Sequence, residues 1–256
     1  MVDNKRKIIL ITAPGSGIGK KIIENLLKDD YEIITLGREG SKPFVEELIL
    51  NGYPIHFIEC DYLSEKSIED AFSKAKELTK QITGMIHLVG GSLISKTVDE
   101  LKYDEFREVI EVNLDSAFLA GRESFKWMKE TGGGNIVFFG STTGFKPSNK
   151  KLPYGVAKAG VHAMTLSFAH EGSKYNILTN AIAPGYVMTD RHKQEIQDKA
   201  LEKSVKSEEV LKKITLKNPM DQILYPEQIY PLIKLLMTTK HIQGQIIKID
   251  SGQIMG

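Results

Sequence analysis

Tyr154 and Lys158 stand four residues apart in Tyr154-Gly155-Val156-Ala157-Lys158, and Ser141 lies thirteen residues upstream of the tyrosine. These residue types at this spacing suggest a proton-donating site. A free tyrosine is a poor acid near neutrality, with a pKa of about 10. On a helix, a lysine four residues later lies on the same face, one turn along. Its charge favours the phenolate and lowers the tyrosine pKa toward the working pH. Taken alone, Tyr-x-x-x-Lys also describes a surface tyrosine beside a solvated lysine. The rest of the chain decides between the two, because it supplies a matching cofactor site.

That site opens at Thr12-Ala13-Pro14-Gly15-Ser16-Gly17-Ile18-Gly19, between a first apolar run and a first helical pattern. Backbone amides and a helix dipole at such a turn can hold a pyrophosphate. Gly17 permits close backbone approach and Gly19 close helix packing. A glycine-rich sequence alone is often only a flexible turn. Its place between strand and helix gives it meaning.

Short apolar, β-branched runs are expected as strands at 7–12, 32–36, 55–59, 84–89, 135–140, 177–183 and 245–249. Each is nearly continuous, as befits strands buried on both faces. Helical patterns fall between them. The first starts near Gly17, with Ile18, Ile22, Leu26 and Leu27 on one stripe. Others are expected at 43–50, 64–79, 98–110, 114–129, 153–174 and 226–238. This alternation predicts an α/β fold, a doubly wound seven-stranded parallel sheet with helices on both faces. No repeat or linker divides the chain, so residues 1–256 are expected to form one domain.

The chain has 256 residues, 41% apolar and 26% charged, with a net charge of +1. That is enough for one sizeable core. Nothing in the charge balance suggests nucleic acid or an anionic membrane as partner. Cys60 is the only cysteine, which excludes an intrachain disulfide and suggests a reducing compartment. Lys5-Arg6-Lys7 precedes an apolar run too short for a signal peptide. No stretch approaches the roughly 18 apolar residues of a membrane span. A cytoplasmic protein is expected. The histidines fall in no Cys/His cluster with metal spacing, so no metal is expected.

At the end of the second strand, Leu36-Gly37-Arg38-Glu39 places no acid on the strand itself. An acid there would accept hydrogen bonds from the adenosine ribose and repel a 2′-phosphate. Arg38 could instead pair with that phosphate, which favours NADP(H) over NAD(H).

With these motifs in order, the chain resembles the short-chain dehydrogenase/reductase family along essentially its whole length. The family's turn reads Thr-Gly-x-x-x-Gly-Ile-Gly. Thr12, Gly17, Ile18 and Gly19 match it, whereas Ala13 replaces the first glycine, with Gly15 nearby to restore backbone freedom. The resemblance implies a catalytic tetrad of Asn113, Ser141, Tyr154 and Lys158. It implies cofactor contacts from Thr12, Gly15, Ser16, Gly17, Ile18, Gly19, Arg38 and Asp61, the last beside the adenine, with Tyr62 next to it. Gly90, Tyr154, Lys158 and the segment Pro184, Gly185, Val187 and Thr189 complete the set, the segment lying along the nicotinamide.

The implied reaction is hydride transfer between nicotinamide and a carbonyl or secondary alcohol carbon. Tyr154 gives the proton, Ser141 orients the oxygen, Lys158 holds the ribose, and Asn113 holds a water linking the lysine to solvent. The Tyr–Lys spacing of four separates the chain from enoyl-thioester reductases. The pattern is similar to that of 3-oxoacyl-[acyl-carrier-protein] reductase-like members, which makes acyl thioesters one substrate class. An NAD-dependent alcohol or sugar dehydrogenase is the alternative, and a non-catalytic dinucleotide-sensing scaffold a further one. The last is motivated by Ala13 and by His87-Leu88-Val89-Gly90, where the family has Asn-Asn-Ala-Gly. His87, His162 and His170 read as structural.

The family also implies a homotetramer built on the helices at 114–129 and 153–174. Phe118, Phe125, Trp127, Val161 and Phe168 are available there for core or interface. Residues 190–217 read as a charged helical lid, within which Ser207 reads as the cap of a helix that starts with Glu208 and Glu209. Lys212 and Lys213 could form an electropositive rim for an acidic carrier protein or a phosphorylated substrate.

Overall fold

The computed structural model describes residues 6–216 and 218–255. Lys5 and Lys217, which bound two of the segments above, lie outside the described residues. Seven parallel strands form one sheet: β1 Ile8–Thr12, β2 Glu32–Gly37, β3 Ile55–Glu59, β4 Gly84–His87, β5 Gly134–Phe139, β6 Ile177–Pro184 and β7 Ile246–Ile249. Their order is β3-β2-β1-β4-β5-β6-β7. The helices are α1 Gly17–Lys28, α2 Lys42–Leu50, α3 Glu65–Leu78, α4 Tyr103–Ile110, α5 Ser116–Thr131, α6 Leu152–Gly172, α7 Asp190–Glu202, α8 Ser207–Thr215 and α9 Tyr230–Thr238. None of the described helices is long and apolar enough to cross a membrane.

Strand alternation sorts the core into two layers. In β1, Ile8 and Leu10 pack with Ile68, Phe72 and Trp127 of α3 and α5. Ile9 and Ile11 face the other way, onto Ile22, Leu26, Ile233 and Leu236 of α1 and α9. β1 is wholly buried. The chain reverses direction across the sheet between β1 and β4, and such a switch point opens a crevice at the strand C-termini.

Local chemistry moves several element ends from their expected places. β4 stops at His87 instead of residue 89, because the next amide, of Leu88, donates to Thr12 Oγ1 at 3.0 Å. α4 starts at Tyr103 instead of residue 98. Glu100 first closes a turn on Thr97, accepting from its amide and its hydroxyl. Glu105 then accepts from the Lys102 amide, fixing the helix start. Where a break was expected before residue 114, Glu111–Asp115 form a π turn that runs on into α5. Ser207 is the first residue of α8 and makes no capping bond, the cap position falling to Lys206. Pro226–Ile229 form a 3₁₀ turn ahead of α9.

Candidate active site

A cleft of about 930 Å³ lies at the switch point. Its walls include Gly15, Ser16, Gly17 and Ile18 from the glycine turn, and Gly90 from the loop after β4. Ser141 lines it from the loop after β5, Tyr154 and Lys158 from α6, and Pro184, Gly185, Val187 and Thr189 from the end of β6 and the segment after it. Thr12, Gly19, Tyr62 and Asn113 stand behind these walls. Arg38 and Asp61 lie outside the cleft.

The glycine turn is built from its own sequence. Ser16 caps α1, accepting from the Gly19 amide at 2.9 Å. A Cβ on Gly19 would lie 2.6 Å from the Ala13 carbonyl oxygen, so only glycine lets the helix start so close to the turn. Ala13 itself adopts φ 54°, the left-handed conformation that glycine takes most readily. The chain thus keeps the glycine's conformation with an alanine, and the freedom expected from Gly15 is not what rescues it. Tyr62, buried beneath, accepts from the Ala13 amide at 2.8 Å and donates to the Leu36 carbonyl at 2.7 Å. Its hydroxyl therefore ties the turn to the end of β2.

Lys158 is only 4% exposed, and its ammonium donates to the Phe139 carbonyl at 2.8 Å. Burial pulls its pKa down to about 8. Its Nζ lies 5.7 Å from the Tyr154 ring centre. Burial pushes the Tyr154 phenol above its ordinary value, and a hydrogen bond with Ser141 returns part of that shift. The lysine was expected to draw the tyrosine down. In this geometry burial sets the direction of the shift, and the ammonium is bonded to the Phe139 carbonyl beneath. Ser141 is placed by its own loop: its hydroxyl accepts from the Thr143 amide at 3.1 Å, and its amide donates to His162 Nε2 at 3.4 Å. His162 is buried, and desolvation followed by the nearby Lys158 charge brings it down to about 4. It is a neutral acceptor backing the serine.

Asn113 sits in the π turn with no exposed surface. Its side-chain amide donates to Gly91 O and Val109 O, both at 2.9 Å, and its oxygen accepts from the Gly91 amide at 2.9 Å. Both donors are used, so the side chain clamps the loop after β4. A Cβ on Gly90 would lie 2.5 Å from Asn113 Oδ1 and 3.1 Å from Lys158 Nζ, which keeps that position glycine.

His87 replaces an asparagine of the family pattern with a directed relay. The Leu88 amide donates to Thr12 Oγ1, and the Thr12 hydroxyl donates to His87 Nδ1 at 3.2 Å. His87 Nε2 donates to Ser116 Oγ at 3.3 Å, and the Ser116 hydroxyl donates to Val112 O at 2.7 Å. Only the neutral Nε2–H tautomer satisfies every member. Burial, then Lys158, takes its pKa to about 3, so it stays neutral. It joins β1, β4 and α5. His170, by contrast, is exposed on α6.

At the outer end, Arg38 Nη2 lies 3.6 Å from Asp61 Oδ1, both largely exposed, and the guanidinium lies 5.8 Å from the Tyr62 ring centre. Two residues of the wall escaped the sequence reading in any role of their own. Ser92 Oγ and Tyr186 OH are buried polar atoms without a hydrogen-bond partner among the described residues. Tyr186 lay inside the Pro-Gly segment, but nothing in the sequence marked its hydroxyl as unpaired.

The family model described as short chain dehydrogenase matches residues 7–200. The chain belongs to the short-chain dehydrogenase family. It is an oxidoreductase of the NAD(P)-dependent kind that acts on a CH–OH or carbonyl group. Over 253 residues, 96% of either chain, it is 30% identical to the 3-oxoacyl-[acyl-carrier-protein] reductase FabG of Aquifex aeolicus. Among solved structures it resembles ElxO with NADP bound, at TM-score 0.89 and 25% identity, covering 97% of this chain and 99% of that one. An actinorhodin polyketide ketoreductase variant with NADPH shares the fold at TM-score 0.89 and 24% identity, with 99% of each chain covered. The doubly wound fold expected from strand and helix alternation is the fold of this family of dehydrogenases.

Proposed function

We propose that this dehydrogenase is an NADP(H)-dependent reductase of a carbonyl to a secondary alcohol, with 3-oxoacyl thioesters as one candidate substrate class. The observation that carries the reading is that Ser141, Tyr154 and buried Lys158 line one cleft with the Gly15–Ile18 turn. That cleft fits a dinucleotide. One end offers a helix N-terminus with glycines, and the other the wall from Pro184 to Thr189. The cofactor, when bound, supplies or accepts the hydride.

The chain's own residues do the rest. Gly15, Ser16, Gly17 and Ile18 receive the pyrophosphate, and Pro184, Gly185, Val187 and Thr189 face the nicotinamide end. Gly90 lets the loop after β4 approach closely, with Asn113 clamping that loop from behind. Tyr154 Oη gives the substrate oxygen its proton, and Ser141 Oγ orients that oxygen. Lys158, with its pKa near 8, changes protonation state easily and can pass a proton toward the phenol. Residues 190–217 serve as a lid over the substrate end of a single domain, and the enzyme works in the cytoplasm as a homotetramer.

Arg38 supports NADP(H), because a 2′-phosphate would draw it from an exposed, long ion pair that holds it weakly. The same pair motivates the second reading, an NAD-dependent alcohol or sugar dehydrogenase, since Asp61 brings a carboxylate to the adenosine end. Cofactor fluorescence with NADPH and with NADH separates the two. Tyr154→Phe should lower turnover by about a hundredfold or more with cofactor affinity nearly unchanged. Full turnover in that variant would remove Tyr154 as the acid.

A further inference from the structure

Arg191, Glu195 and Lys199 follow one another at intervals of four along α7, and all three line the cleft. Arg191 Nε donates to Glu195 Oε1 at 3.0 Å. Its Nη1 lies 3.8 Å from the point where Gly91 would carry a Cβ, across the cleft from α7. Lys151 lies in the turn before α6, three residues ahead of Tyr154, and stands outside the cleft lining. It is half-buried, and burial, with Lys199 and Arg191 nearby, lowers its pKa, while Glu195 acts the other way. Neither Lys151 nor Lys199 makes a side-chain hydrogen bond or ion pair among the described residues. Two cations of the cleft wall, Arg191 and Lys199, thus share one carboxylate, and Lys151 is close enough to feel all three charges.

The other acids of the cleft are committed elsewhere. Asp190 pairs with Lys193 at 2.9 Å, and Asp250 accepts from the Gly252 and Ile254 amides. Ser92 Oγ and Tyr186 OH, buried and unpartnered among the described residues, belong to the same cleft. The Tyr186 ring packs on that of His192, the residue after Arg191, with 4.7 Å between ring centres, which puts it beside the cluster. Lys212 and Lys213, the rim suggested by the sequence, are exposed and do not line the cleft. Arg191 and Lys199 are exposed where they line the cleft, and two cations with one carboxylate between them, in the same cleft as two buried hydroxyls without a partner among the described residues, favour binding of an anion.

We infer that the substrate is a small ketone or secondary alcohol carrying a second, anionic group, a carboxylate or a phosphate, seated at Arg191 and Lys199. Ser92 and Tyr186 hydrogen-bond the polar part of the molecule between that group and the reacting carbon. The inference rests on the carbonyl-reductase reading and narrows its substrate class.

The test is a series of ketones matched in length and ending in a carboxylate, a phosphate, or the methyl ester of that carboxylate, with a 3-oxoacyl carrier-protein thioester as a fourth arm. Expected is a kcat/KM at least about tenfold higher for one charged ketone than for the ester, as befits a charge-assisted hydrogen bond. The carboxylate and phosphate arms tell which anion is read. In Lys199→Gln and in Arg191→Gln the charged-to-ester ratio should fall by at least about fivefold, whereas in the Lys212→Gln, Lys213→Gln double variant it should stay put. Equal turnover of charged and ester ketones, or a clear preference for the carrier-protein thioester, overturns the inference and leaves the reductase reading standing. Failure to bind either dinucleotide and to reduce any of the four sinks both.

Discussion

Lys158 carries two demands that oppose each other. The site needs a cation next to Tyr154, and the fold buries it to 4% exposure against the Phe139 carbonyl. Its folded pKa near 8 lies below the unfolded value of 10.5. Below about pH 8 both states are protonated, and the folded state bears the whole desolvation cost. Between about pH 8 and 10.5 the folded lysine loses its proton first, so stability rises with pH through that window and the cost vanishes above it. Lys158→Met should therefore stabilise the fold by about 3 kcal/mol at pH 7 while abolishing turnover. The stability difference should disappear near pH 10.5 in urea unfolding, and an equal difference at both pH values would refute the account. At the other end of the cleft, Arg38→Ala should weaken NADPH binding about tenfold and leave NADH binding nearly untouched. Equal loss for both cofactors, read by fluorescence titration, would make Arg38 a general contact only. The types and spacing of Ser141, Tyr154 and Lys158 could be read from the sequence because proton transfer demands those groups. The bonding of Asn113 could not, since its partner Gly91 is distant in the chain and meets it through backbone atoms.

Elements show where local rules yield to neighbours. Alternating apolar runs and helical patterns foretold all seven strands, because both faces of the sheet must be dry. Their ends were harder to place. The Leu88 amide leaves the strand ladder for a threonine hydroxyl 76 residues away, which no local pattern encodes. The π turn at Glu111–Asp115 was equally silent, as the apolar spacing on either side suits two separate helices. Ala13 was visible as a departure, but its left-handed backbone was not. An L-residue there costs roughly 1–2 kcal/mol, against a loss of about 0.4–1 kcal/mol from the greater unfolded-state freedom of glycine. Ala13→Gly should thus stabilise the protein by about 0.5–1 kcal/mol in chemical denaturation, and destabilisation would show that the alanine methyl contributes packing that outweighs its strain.

At the scale of the molecule, α6 presents two unlike faces. Trp127 and Val161, offered by the sequence for core or interface, are core, and Phe125 and Phe168 pack partly buried against it. Phe118 of α5 is 45% exposed, and the outer side of α6 shows Val156, Ala159, Ala163 and Leu166 to the surface. A helix apolar on its outer side as well as its inner one is suited to a second burial. The inner side of the same helix holds Tyr154 and Lys158. One rigid rod therefore carries the proton donor on one flank and, in the proposed tetramer, the subunit contact on the other. Such an enzyme would be sensitive to how much of it is present. Diluted to its subunit dissociation constant, it should lose about half of its specific activity and regain it on reconcentration, while a constant value down to nanomolar protein would uncouple the two flanks.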